Sequence, residues 1–265
     1  MFIEDALHNY GDFSIDDVDF LSFHEANEYI KKQRKNIKMK ESLNLRLLLA
    51  KEQFKKWTYG NKQNELFWDN VENKINKYIF ECAFKGAYKD ITLRTIKGVG
   101  QVKNLRQLCF DNLKELFNNY FTNKAPSTKE EFDNIHNIMC LNFLQAFNQA
   151  LTNCNLPEQK YGKAQKIVNM LFKNLYCADI KEKKEYFTFC HMPIDSYILK
   201  WYFRDLAAKI KITKFKTCWS NLDFATYISV QNNIRDYLCE FGEKANLPNI
   251  VLEAEYCIWE NEKNN

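Results

Sequence analysis

Residues 162–199 read GKAQKIVNMLFKNLYCADIKEKKEYFTFCHMPIDSYIL, and the reading of the whole chain turns on them. The stretch opens on Gly162 and the small Ala164, a pair that permits a tight turn. Ile167, Val168, Met170, Leu171, Phe172 and Leu175 then follow at a density that predicts an apolar helix over 164–177. Lys166 stands in its first turn. Lys173 lies seven residues on, two helical turns along the same face. A charged loop at 181–184 and an irregular or extended run at 187–191 lead to Pro193, Ile194, Asp195 and Ser196. Asp195 is placed to cap a helix running to about residue 209.

Helical spacing recurs on both sides of this segment. It predicts helices over 25–38, 42–57, 65–88, 103–120, 129–152, 222–241 and 250–259. Gly60 and Asn61 stop the second, and Gly242 ends the helix over 222–241. Ser127, Thr128 and Glu131 form a capping pattern before residue 129, and Pro157 sits in a turn over 155–162. Only Ile91-Thr92-Leu93-Arg94-Thr95-Ile96 is β-branched enough for a short strand, or else a loop. Seven glycines and four prolines in 265 residues argue against a loop-rich β architecture. The expectation is an all-α globule of about nine helices in two lobes.

Composition narrows the function class. A chain 46% hydrophobic and 15% aromatic builds a core rather than staying disordered. No run of 18 apolar residues suggests a membrane span, and MFIEDALHNYGDF has no basic region ahead of an apolar stretch, so no signal peptide is expected. The nine cysteines are never closer than 13 residues, which leaves no zinc-ribbon spacing; free thiols in a reducing cytoplasm fit best. His8, His24, His136 and His191 show no metal spacing, and no GxxxxGK[ST] is present, so neither a metal nor a nucleotide cofactor is implied. Residues 1–28 carry eight acids and no Lys or Arg, an acidic N-terminal segment that could fold back on the rest or stand as a solvated arm. The other 237 residues carry 38 bases against 26 acids, a formal charge of +12 that suits a polyanionic partner.

The segment over 162–199 resembles the helix-hairpin-helix DNA glycosylases. Their signature is a G-x-G-x-K-T turn, an apolar helix, then V-D-T/S opening another helix. Gly162-Lys163-Ala164-Gln165-Lys166 stands on the turn, with Ala164 in place of the second glycine, and Ile194-Asp195-Ser196 on the V-D-T/S. Within the superfamily the archaeal-type 8-oxoguanine glycosylases are most similar. They carry a second lysine seven residues after the nucleophile, as Lys173 follows Lys166. They also place an acid four residues before a tryptophan, as Glu255 precedes Trp259. The resemblance is firm over about 38 residues and thin elsewhere, and the four-cysteine iron–sulfur loop of the endonuclease III branch is missing. It implies an all-α helix-hairpin-helix fold with two lobes around a central cleft, a glycosylase-like region over 29–265 and the hairpin over about 156–177. It implies Lys166 as nucleophile and Asp195 as catalytic carboxylate. Lys173, Glu255 and Trp259 would line a base pocket, and Gly162, Lys163 and Ala164 would bind a DNA phosphate. It further implies a monomer without metal or cofactor, acting on a base flipped out of damaged double-stranded DNA, with 8-oxoguanine the favoured base.

The chemistry can be argued from the residues themselves. A lysine amine can attack the anomeric carbon of a damaged nucleotide and displace the base, leaving a Schiff base that permits strand cleavage. Asp195 would take or orient the lysine's proton and steady developing positive charge. A base inside a duplex must be flipped out, so an aromatic pocket is needed, with Trp259, Trp201 and Phe189 as candidate walls. Trp68 is a further stacking candidate, though core packing suits it as well, and His191 could touch DNA or simply sit in a loop. Gly98, Val99 and Gly100 in IKGVGQVKNLRQL also resemble a hairpin turn, but Val102 stands where the lysine would be. Two alternatives stay open: a non-catalytic all-α DNA-binding module, and a glycosylase for a different modified base.

Overall fold

The computed structural model describes residues 23–60, 66–91, 96–178, 183–212, 215 and 218–264. The chain divides into two units, Met1–Leu45 and Arg46–Asn265, a boundary further along than the break in charge at residue 28. Most of the acidic segment lies outside the described residues, as does most of the β-branched run over 91–96.

Described residues of the first unit belong to helix α1 (Phe23–Tyr59), in which Lys31 pairs with Glu28 one turn away at 2.8 Å. The two helices expected over 25–38 and 42–57 are one, since nothing between them breaks a helix. In the second unit the helix expected over 65–88 is corrected. A two-stranded antiparallel turn comes first, β1 (Trp68–Asp69) paired with β2 (Lys74–Ile75). Helix α2 (Lys77–Ile91) follows. Phe67, Val71 and Ile75 repeat every four residues, but short polar side chains override that period. Asp69 Oδ1 accepts from the Val71 and Glu72 N–H groups, Asn73 adopts φ +50°, and Asn76 Oδ1 accepts from Tyr78 N–H ahead of α2. Val71 is left 96% exposed.

The remaining elements follow the expected pattern closely. They are α3 (Leu105–Thr122), α4 (Lys129–Thr152) and α5 (Tyr161–Tyr176), then α6 (Ser196–Trp201), a π-helical turn (Tyr202–Leu206) and α7 (Ala207–Lys209), and finally α8 (Phe224–Phe241) and α9 (Val251–Asn264). The Thr128 cap is as the sequence predicts: Thr128 Oγ1 accepts from Glu131 N–H while Glu131 reaches back to Ser127. The structure adds a cap at Asp223, which accepts from Thr226 N–H. Among the described residues no helix is long and apolar enough to cross a membrane, and all nine cysteines are free thiols.

Every residue of α5 is buried, so this helix is the core rather than one side of it. Phe172 packs on Phe117 of α3 at 4.7 Å between ring centres and on Tyr120 at 5.1 Å. Buried helix ends must find partners inside the protein. Gly162 N–H donates to Leu222 O at 2.9 Å. At the other end Tyr256 OH donates to Lys173 O at 2.6 Å and Tyr59 OH to Asn174 O at 2.5 Å.

One side of α5 meets a polar chain through the core. Asp133 binds both Arg235 and His191 at 2.7 Å, His191 Nδ1 meets Tyr227 OH at 2.7 Å, and Asn169 links Tyr227 to His136. Burial pushes the His191 imidazole down to about 4, with Asp133 opposing and Arg235 assisting, and burial likewise pushes His136 well down. Both rings are therefore neutral in the folded protein and take up protons more readily when it unfolds. Their contribution to stability is present above about pH 6.5 and lost as the pH falls toward 4. Urea denaturation should accordingly show stability dropping by about 2–3 kcal/mol for His191 alone between pH 7.5 and 4.5. A flat profile over that range would show that these imidazoles are not held neutral.

Candidate active site

Asp195 ends the loop before α6 and serves two partners. Its Oδ1 accepts from Ile198 N–H at 3.0 Å, capping α6, and its Oδ2 takes Lys166 Nζ at 2.6 Å. Burial alone would raise the Asp195 carboxyl. The Lys166 ammonium, its hydrogen bond and the Ile198 N–H outweigh that and hold the group below the usual carboxylate range. Lys166 and Asp195 come from positions 29 residues apart and form an ion pair at a cavity of about 610 Å³, whose lining also carries Lys89, Asp90 and Glu260. Its walls include Phe54 and Trp57 of α1, Trp219, and Tyr256 and Trp259 of α9. Trp57 is 69% exposed and faces Trp259 across 6.4 Å at an interplanar angle of 24°.

Lys173 and Glu255 meet as well, with Nζ 2.5 Å from Oε2. The Lys173 ammonium lies 4.2 Å from the Phe54 ring centre, 4.9 Å from Tyr256 and 5.2 Å from Trp259, an aromatic box around a cation. Burial pushes the Lys173 ammonium down and the Glu255 carboxyl up, and their mutual attraction opposes both.

The expected residues therefore fall into three groups. Lys166, Asp195 and Trp259 line the cavity. Lys173 and Glu255 do not; they lie behind its aromatic wall, packed under Phe54, Tyr256 and Trp259. Gly162, Lys163 and Ala164 are buried and face protein, which corrects their assignment to a DNA phosphate. Helix α5 already begins at Tyr161, and the N–H groups of Gly162 and Lys163 go to Leu222 O and Lys160 O. The side chain of Lys163 donates to Ile91 O and lies 5.0 Å from the Trp219 ring. The second glycine motif is more open: Gly98 has φ +82°, Gly100, Lys97 and Lys103 are exposed between α2 and α3, and Arg106 is exposed in the first turn of α3.

Trp201, Phe189, Trp68 and His191 are not among the residues that line this cavity. Trp201 packs edge-on against Tyr237 beside a separate cavity, and Phe189 is met through its carbonyl by Arg235. Trp68 lies under Lys183 at 4.3 Å. His191 is fully buried. Phe54, Trp57, Trp219 and Tyr256 were not singled out from the sequence. The signal for the first two was the aromatic end of the apolar stripe over 42–57.

No protein-family model, curated protein or solved structure matches the chain. Among the described residues no group of three or more His, Cys, Asp or Glu side chains could hold a metal ion.

A Cβ built on Gly162 would stand 2.0 Å from Trp219 O and 2.8 Å from the Ser220 carbonyl carbon, both backbone atoms that cannot swing aside. Gly162→Ala should therefore lower stability by about 3 kcal/mol and loosen the Trp219 wall. Gly100→Ala, with nothing within 4 Å, should stay within about 0.5 kcal/mol of wild type. Chemical denaturation of the two variants checks this, and equal midpoints would contradict the packing at Gly162.

Proposed function

We propose that the chain is a DNA glycosylase with strand-cleaving lyase activity, built on the helix-hairpin-helix glycosylase fold with two lobes about the cavity and working as a monomer. The observation that carries this reading is the contact of Lys166 with Asp195, 2.6 Å apart at the edge of a tryptophan-walled cavity large enough for a nucleobase. A lysine and an aspartate so placed can form and resolve an imine, and aromatic faces suit a flipped base.

In the proposed reaction Lys166 passes a proton to Asp195 Oδ2, and its free Nζ attacks C1′ of the flipped nucleotide. The C1′–N bond breaks, and the base leaves with the bonding electrons and takes up a proton. Opening of the sugar ring gives a Schiff base between Nζ and C1′. Loss of a proton from C2′ expels the 3′ phosphate, and water then releases the lysine. The base stacks on the aromatic wall that includes Trp57 and Trp259. Lys173 and Glu255 act through the rings packed against them. 8-Oxoguanine is the base favoured by the resemblance, and the basic charge of the body supplies salt-sensitive affinity for DNA.

Borohydride trapping on a duplex carrying one 8-oxoguanine, and on one carrying an abasic site, tests this. Wild type should give a covalent adduct on both. Lys166→Ala should give none while still binding DNA. Asp195→Asn should slow adduct formation by about 10²–10⁴-fold. An adduct on the abasic duplex alone would move the base specificity to another lesion. DNA binding with no adduct on either duplex would favour a non-catalytic binding module.

A further inference from the structure

The loop that delivers Asp195 is gripped by two glutamines. Gln165 of α5 and Gln231 of α8 are both fully buried. Gln165 Oε1 accepts from Ile194 N–H at 3.1 Å, and its Nε2 donates to Ile194 O at 2.8 Å. Gln231 repeats the pattern two residues earlier. Its Oε1 accepts from Met192 N–H at 3.1 Å and its Nε2 donates to Met192 O at 2.7 Å. Each side-chain amide thus takes both backbone groups of one residue, as the neighbouring strand of a sheet would. Pro193, between the two, has no N–H to leave unmatched.

The Gln165 amide is locked in one orientation. Its Nε2 also donates to Gly162 O at 2.9 Å, and its Oε1 also accepts from Asn169 Nδ2 at 3.1 Å. Both donor hydrogens and both acceptor sites are in use, so a flip would set oxygen against two carbonyls. Gln165 adjoins Lys166 in sequence, and Ile194 adjoins Asp195. The clamp therefore joins the backbones that carry the two reacting side chains, one residue from each.

We infer that Gln165 and Gln231 are positioning residues that fix Asp195 against Lys166, a role that rests on the reaction proposed above. Hydrogen bonds buried in a core merely for stability need not fall on the residue before the carboxylate. Nor need they be doubled on the same backbone two residues upstream. A carboxylate displaced by an ångström loses much of its effect on the reacting lysine.

The test compares Gln165→Met and Gln231→Met, near-isosteric and unable to hold the clamp, with wild type. Phe147→Leu in α4 serves as a destabilised control away from the cavity. The readouts are the single-turnover rate of adduct formation on an abasic-site duplex, its pH profile, and DNA affinity. Gln165→Met should slow the step about 10–100-fold, and Gln231→Met by less, with affinity changed less than about twofold. With Asp195 no longer held to Lys166, the acidic limb of the profile should move to higher pH. Phe147→Leu should leave rate and profile unchanged in its folded fraction. Hydrogen exchange of the wild-type protein supplies an arm that needs no variant: the Met192 and Ile194 amides should exchange as slowly as those inside α5.

Fast exchange at both amides, or folded glutamine variants with wild-type rate and profile, would overturn the clamp. A wild type that forms no adduct on any abasic duplex would instead overturn the reaction on which it rests, and slow exchange would then mark the clamp as purely structural.

Discussion

A helix with no exposed face cannot carry charge without providing for it, and α5 carries three lysines. Each has a distinct solution. Lys163 is held by a backbone carbonyl and a tryptophan ring, Lys166 by Asp195, and Lys173 by Glu255 inside three aromatic rings. Leaving any of these cations buried without its partner costs far more than a surface pair gains. The partners come from α1, α2, α6 and α9, so the lysines of one helix dictate where much of the second unit must lie.

Asp195 shows how tightly local structure and chemistry are tied. One carboxylate oxygen begins α6 and the other holds Lys166. The side chain cannot turn toward a different partner without uncapping the helix. The helix cap and the ion pair therefore share one side chain, and the loop geometry upstream decides whether both bonds can be made together.

Much of this was legible in the sequence. The spacing of Lys166 and Lys173, the cap at Asp195 and the capping pattern at Thr128 are local, and local rules recover them. The resemblance put Lys173 and Glu255, 82 residues apart, in the lining of one pocket; that they pair with each other behind its aromatic wall was not foreseen. What failed was long-range or was hidden by period. Nothing in the sequence near Gly162 says that the backbone of Trp219 will fill the space beside it, which is why a glycine chosen for close packing reads like a glycine chosen for a phosphate. The β1–β2 turn was concealed because its apolar residues fall every four positions while Asp69, Asn73 and Asn76 set the backbone. The aromatic wall escaped because Phe54 and Trp57 belong to a helix whose sequence looks like ordinary core.

Three of the five tryptophans, Trp57, Trp219 and Trp259, ring the cavity, while Trp68 and Trp201 lie elsewhere. The molecule consequently carries its own optical reporter. Most of its indole fluorophores sit where a bound planar ring would quench them, so emission from the unlabelled protein reports directly on whatever occupies that space.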